Sequence, residues 1–124
     1  MVELRLRPIE KGSAVEIAPG VFTSSIDTQE WEADPEVGGL VHVLAETDRA
    51  QAGMSRFDAV PAEPLTYTPP GRETIVVLEG VARIDLKDGP SVTVRAGDIA
   101  SFPEGVEATW NLLEVPFKEV WVLA

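Results

Sequence analysis

The chain of 124 residues has no cysteine, one histidine, one tyrosine and two methionines. The missing thiols remove disulfides, zinc–thiolate centres and cysteine nucleophiles together, and they fit a reducing compartment. A single histidine cannot supply a multi-histidine metal cage. Positive charge is also scarce: ten Lys and Arg stand against twenty-one Asp and Glu, for a formal net charge of −11. Phosphate backbones and acidic lipid surfaces are repelled by such a chain, so neither nucleic acid nor membrane is expected as a partner. The acidity reads as a solvated surface that keeps the protein in solution, and it leaves neutral or cationic ligands open. No apolar run approaches the roughly twenty residues of a membrane span, and Met1-Val2-Glu3-Leu4-Arg5 lacks the apolar core of a secretion signal. A cytoplasmic location is expected.

What the chain does have is turn-formers and short apolar stretches. Ten Gly and ten Pro break it into segments too short for long helices, while 44% apolar residues suffice for one core. One domain over residues 1–124 is expected, its motif-bearing core at about 53–124 and its N-terminal arm, of about residues 1–12, carrying Arg5, Arg7 and Lys11. Strands are read at Ala14–Ala18, Gly39–Ala45, Met54–Val60, Leu65–Thr68, Thr74–Leu78, Val81–Lys87, Ser91–Arg95, Ile99–Phe102, Ala108–Leu113 and Phe117–Leu123. Thr74–Leu78 is continuously apolar, as in a strand covered on both faces. Ala82, Ile84 and Leu86 alternate with Arg83, Asp85 and Lys87, and Val92 and Val94 are expected inward on the return strand. Asp88-Gly89 is a hairpin signal. Asp27–Val37 is the one stretch suited to a helical turn, its acids facing solvent and Trp31 anchoring it. Gly38-Gly39 reads as a turn before a strand. Short, evenly spaced strands of this kind predict an all-β antiparallel β-barrel or jelly roll.

Two motifs narrow the fold. In Gly71-Arg72-Glu73-Thr74-Ile75-Val76-Val77-Leu78-Glu79-Gly80, a Glu is followed after six residues by a Gly. In Gly97-Asp98-Ile99-Ala100-Ser101-Phe102-Pro103-Glu104-Gly105, a Gly is followed after five residues by Pro-x-Gly. Joined by the Asp88-Gly89 hairpin, these resemble the first and second motifs of the cupin superfamily. The ending Ala108-Thr109-Trp110-Asn111, with Lys118-Glu119-Val120-Trp121-Val122, is similar to the cupin branch that contains ureidoglycine aminohydrolase and the ethanolamine-utilisation cupins. The resemblance covers about residues 53–124 and implies a single-domain RmlC-like barrel.

The resemblance also implies a metal held by a His-x-His pair, the Glu, and a later His. Here the pair's places are taken from Thr66, Tyr67, Thr68 and Pro69, the late place by Ala108, and Glu73 alone persists. No cofactor is therefore expected. A divalent Mn, Fe, Ni or Zn ion held by Glu73 and His42 is the alternative reading. Glu73 is either a hydrogen-bonded acceptor, with Arg72 or Arg56 as partners, or a general acid–base group. His42 is either a satisfied barrel residue or Glu73's catalytic partner, and either strand phase is allowed, Val41 and Val43 taking the other face. Tyr67 is a phenol donor, as in metal-free epimerase-type cupins. Trp110, Phe102, Met54, Phe57 and Arg56 are read as pocket lining. Three functions follow: a small-molecule-binding cupin without a tightly held metal, with isomerase- or lyase-type proton transfer if catalytic; a metal enzyme with unusual ligands; or a non-catalytic structural or interaction homodimer paired through an edge strand or a sheet face, with the Leu4–Ile9 arm a candidate to cross over.

Overall fold

A computed structural model describes residues 14–124, and the N-terminal arm with its Leu4–Ile9 segment lies outside the described residues. Ten strands and no helix make up the described chain: β1 Val15–Ala18, β2 Val21–Thr23, β3 Glu32–Ala33, β4 Leu40–Glu46, β5 Gln51–Phe57, β6 Leu65–Tyr67, β7 Glu73–Leu86, β8 Ser91–Arg95, β9 Ile99–Phe102 and β10 Ala108–Leu123. β1 and β2 form a separate two-stranded ribbon. The other eight form one antiparallel sheet in the order β3-β4-β5-β10-β7-β8, with β6 on β10 and β9 on β7.

Two pairs of expected strands are single long ones. β7 runs unbroken through Gly80, and β10 runs through Val115-Pro116, whose peptide bond is cis. Their mutual register shifts between Leu112 and Glu119, with Glu114 paired to Val81 and Lys118 to Glu79. Bulges there bend both strands. One half of β10 thus pairs with β5 and the first half of β7, and the other half pairs with β6 and the second half of β7. The two halves of the sheet close over a shared core. Val41, Val43, Ile75, Val77, Phe117, Trp121 and Leu123 come from one half, and Ala82, Ile84, Val94, Ala108, Trp110 and Leu112 from the other. Ring contacts Phe102–Trp110 (centroids 5.9 Å) and Trp110–Phe117 (6.4 Å) stitch the seam. Fully burying each large apolar side chain contributes about 1.5–3 kcal/mol. Among the described residues the hydrogen-bonded path is open at β3 and β8, so the ladder they form does not close into the expected barrel.

Four local expectations change. Thr74–Leu78 is not covered on both faces: Ile75 and Val77 are buried while Thr74 and Val76 are exposed, because no described element lies over that part of the outer face. Val92 shares the phase of Val94 but is 43% exposed, lying beyond the edge of the core. Asp27–Val37 makes turns and β3 instead of a helical turn. Asp34 in that stretch is buried, not solvent-facing. Its Oδ1 accepts the backbone N–H groups of Glu36 (2.9 Å) and Val37 (3.1 Å), which replaces the water it gives up. The hairpin at Asp88-Gly89 forms as read, with Asp88 at φ 57°.

The Asp85 carboxylate joins three strands. Ser91 Oγ donates to it at 2.6 Å, Arg83 Nε at 3.1 Å and Asn111 Nδ2 at 3.0 Å. The Ser91 hydroxyl, ahead of the opposing cost of desolvation, and the Arg83 guanidinium hold its pKa below 3.8. A depressed carboxylate stabilises the fold above its unfolded pKa, and that contribution disappears as pH falls through the folded value. The Asp85 NMR titration midpoint should therefore lie below 3.8 and move up in Ser91→Ala; an unmoved midpoint would refute the assignment.

Gly80 sits at φ 82°, and a Cβ there would stand 2.5 Å from the Pro116 carbonyl oxygen and 2.6 Å from that of Glu114. Gly97 has a similar φ of 94° but open space around it. Gly97→Ala should cost about 1 kcal/mol from backbone strain alone, and Gly80→Ala about 3 kcal/mol or more. Urea unfolding of the two variants, compared at equal m-values, checks the difference.

Candidate functional site

Pleating decides which side chains can meet. Across the sheet, Glu46, Gln51, Leu123, Glu73 and Phe102 are register partners in turn, so their side chains share the inner face. This row lies at one end of the enclosed interior and is unusually polar. Glu73 is 7% exposed and Gln51 1%. Tyr67, at the end of β6, donates its phenol proton to Glu73 Oε1 at 2.7 Å. Gln51 Nε2 donates to Glu46 Oε2 at 3.4 Å. Each of these four residues makes further interactions beyond these. Buried polar groups cost free energy unless partnered, so a polar row facing an otherwise apolar interior marks a site.

The aromatic wall is present but tightly filled. Phe102 and Trp110 are both 8% exposed and pack in the core, and the crevice they form with Tyr67, Pro69, Val106 and Ala108 is too narrow to admit water. Phe57 is likewise buried in the core, its ring edge against Gly39.

His42 lies elsewhere. Its register partner is Met54, followed by Val120, Val76 and Ile99, so this row faces outward from the sheet. Val41 and Val43 take the inner face. His42 and Glu73 are thus on opposite faces and cannot act as the expected pair. Met54 moves with His42 to the outer face. Arg56 is also outward: its Nε meets Asp58 Oδ1 at 2.6 Å and its guanidinium lies over the Trp31 ring at 5.9 Å. Arg72 donates to Ser101 Oγ at 3.0 Å. Trp31 anchors its loop to the sheet as expected, its ring packing on His42 (centroids 6.0 Å) beneath the Lys118 ammonium, while its Nε1–H is donated within the loop to the Thr28 carbonyl at 2.8 Å.

The metal that the cupin resemblance implies would need several imidazoles converging with Glu73. The positions that would supply them hold Tyr67 and its neighbours and Ala108, and Ala108 pairs with Tyr67. Among the described residues no three His, Asp or Glu side chains come together. His42 has both ring nitrogens committed on the other face. These residues do not fit a histidine-held metal.

Gln51 and Glu46 were not visible as site residues. Their signal was phase: Gln51 is in step with Phe57 along β5, and an inward Phe57 carries Gln51 inward with it. Ser24, the hydroxyl partner of His42, lies in a stretch with no motif.

Comparison with known proteins places this geometry in a family. No curated protein matches the sequence. Among solved structures, EutQ from Clostridium difficile superposes with a TM-score of 0.69 at 17% identity, over 90% of this chain and 87% of that one. A candidate ethanolamine utilization protein Q from Salmonella typhimurium gives 0.68 at 18%, over 88% and 89%. A cupin superfamily protein from Desulfitobacterium hafniense gives 0.59 at 19%, over 74% and 80%. At these identities the likeness is one of fold. The EutQ-like cupin domain model matches residues 57–120, more than half of the 124, and includes Tyr67, Glu73 and both turn motifs. The chain belongs to the EutQ-like cupin domain family.

Proposed function

We propose that the protein is a jelly-roll cupin that holds a small polar molecule against the inner row Glu46, Gln51, Tyr67 and Glu73, without a histidine-held metal. The observation that carries this is the 2.7 Å Tyr67–Glu73 hydrogen bond at the family's carboxylate position. Glu73 is the acid–base group, and Tyr67, by donating to Oε1, positions the carboxylate and can return a proton. The chemistry suited to this pair is proton transfer of the isomerase or lyase type. The ligand is neutral or cationic, because the row contributes two carboxylates and the chain carries a net charge of −11. It is held from the polar side, since the aromatic side is filled by Phe102 and Trp110.

A second reading, pairing of two copies through the outer sheet face, is favoured by Ile99, which is 73% exposed beside its register partner Val76 at 38%. Exposed adjacent apolar side chains of this kind mark interaction surfaces.

Two measurements test these readings. In a thermal-shift screen of neutral and cationic polar metabolites, at least one compound should raise the wild-type melting temperature. Its affinity should fall about tenfold in Tyr67→Phe and about tenfold to a hundredfold in Glu73→Gln. Unchanged binding in both variants excludes the inner row. By sedimentation, the wild type should be a dimer that Ile99→Asp converts to monomer, and a monomeric wild type removes the pairing.

A further inference from the structure

The outer face of β4, β5 and β10 carries a constellation that the inner row does not use. His42 is 1% exposed, and both its ring nitrogens have partners. Nδ1 is 2.7 Å from the Glu30 carbonyl oxygen, and Nε2 is 2.7 Å from Ser24 Oγ. A carbonyl oxygen only accepts, so Nδ1 carries the proton of the neutral ring. Nε2 then faces Ser24 as a base, and the Ser24 hydroxyl donates to it. A hydroxyl, a base within hydrogen-bond reach and a third group orienting the base are the components of an activated nucleophile.

The Ser24–Trp31 loop is clasped to the sheet at several points. The Lys118 ammonium donates to the Ile26 carbonyl, and it also lies 5.7 Å from the Trp31 ring centroid. The Trp31 ring packs against His42 with centroids 6.0 Å apart. Ser24 itself is exposed and opens on a groove of about 280 Å³ walled by Ile26, Leu44, Met54, Val120 and Val122. Ser25 lines the same groove. Its oxygen accepts the Asp27 N–H at 3.1 Å, so its proton is directed to another acceptor.

We propose that Ser24 and His42 form a nucleophile–base pair that hydrolyses uncharged esters of short apolar acids, with the acyl chain in this groove. Ser24 Oγ attacks the ester carbonyl carbon as its proton passes to His42 Nε2, and the Ser25 hydroxyl donates to the oxyanion. Collapse of the tetrahedral intermediate breaks the bond to the alkoxy oxygen, which takes the proton from Nε2 and leaves as the alcohol. Water then attacks the acyl-Ser24 carbonyl and gives a proton to Nε2. The second collapse expels Ser24 Oγ, which recovers that proton, and the carboxylic acid departs. Ester and water give acid and alcohol, with no other reactant. The Glu30 carbonyl holds the ring in the correct tautomer but offers the imidazolium no full negative charge, so turnover is slow. The acidic surface disfavours anionic esters.

The experiment treats the full chain with a fluorophosphonate and, separately, with 4-nitrophenyl butyrate. One phosphonyl adduct per chain is expected, located on Ser24 by peptide mass spectrometry. Ser24→Ala, checked for native circular dichroism, should form no adduct and lose at least about a hundredfold of the butyrate hydrolysis. Because His42 is buried and His42→Gln could unfold, the imidazole is tested in the wild type. Its ¹⁵N NMR pattern should show a protonated Nδ1 and a bare Nε2. Absence of a wild-type adduct, an adduct on another residue, hydrolysis unchanged in Ser24→Ala, or the opposite tautomer each overturns the proposal.

Discussion

The structure depends on the pairing of β10 with β7. These two strands belong to both halves of the sheet, and no core would close without their shared bend. The bend is located where Gly80 passes within van der Waals reach of the Glu114 and Pro116 carbonyls, a space that admits no side chain. Turning both strands at one point lets the rest of the chain remain short. β5 and β4 extend one half, β6 and β8 the other, and Trp110 lies where the halves meet. The buried apolar surface sits on the concave side of this bend, which is why the enclosed interior exists at all.

The same pleat that fills the core separates two chemistries. On the inner face the carboxylate of Glu73 is held by a phenol; on the outer face the imidazole of His42 is held by a hydroxyl and a carbonyl. Successive residues of a strand point to opposite faces, so the two groups cannot converge, however close their strands. Each is then left to the partners of its own side. The inner pair lies in a polar row closed on its aromatic side, suited to hydrogen-bonded recognition. The outer pair lies at the wall of an apolar groove, suited to a carbonyl compound with an apolar tail. On the inner face Tyr67 fills the neighbourhood of Glu73, donating its phenol proton to Oε1.

Much of the fold was legible in the residues alone because it is governed by local rules. Gly-x₅-Pro-x-Gly and Asp-Gly at fixed offsets state where the chain turns, and alternation in Val81–Lys87 states which side is inward. Those features depend on near neighbours. The continuity of β7 and β10 was not legible, since Gly80 and Pro116 read locally as breaks. Only the opposing strand shows that each break is a bend in a paired ladder. Asp34 departs from expectation for a related reason: a carboxylate reads as solvent-facing until the N–H groups that replace its water are known.

The residues by themselves determined the class of fold, the single histidine and the place of Glu73 within the motif, because composition and motif spacing are properties of the chain. Tertiary structure alone decided which groups face one another. It joined Tyr67 to Glu73, brought Gln51 and Glu46 into the same row, and set His42 with Ser24 on the opposite face. Strand phase is a choice between two alternatives that a single strand leaves nearly equal in energy. Here it is the packing of Val41 and Val43 into the common core that makes the choice, and with it the partners of every other side chain on β4.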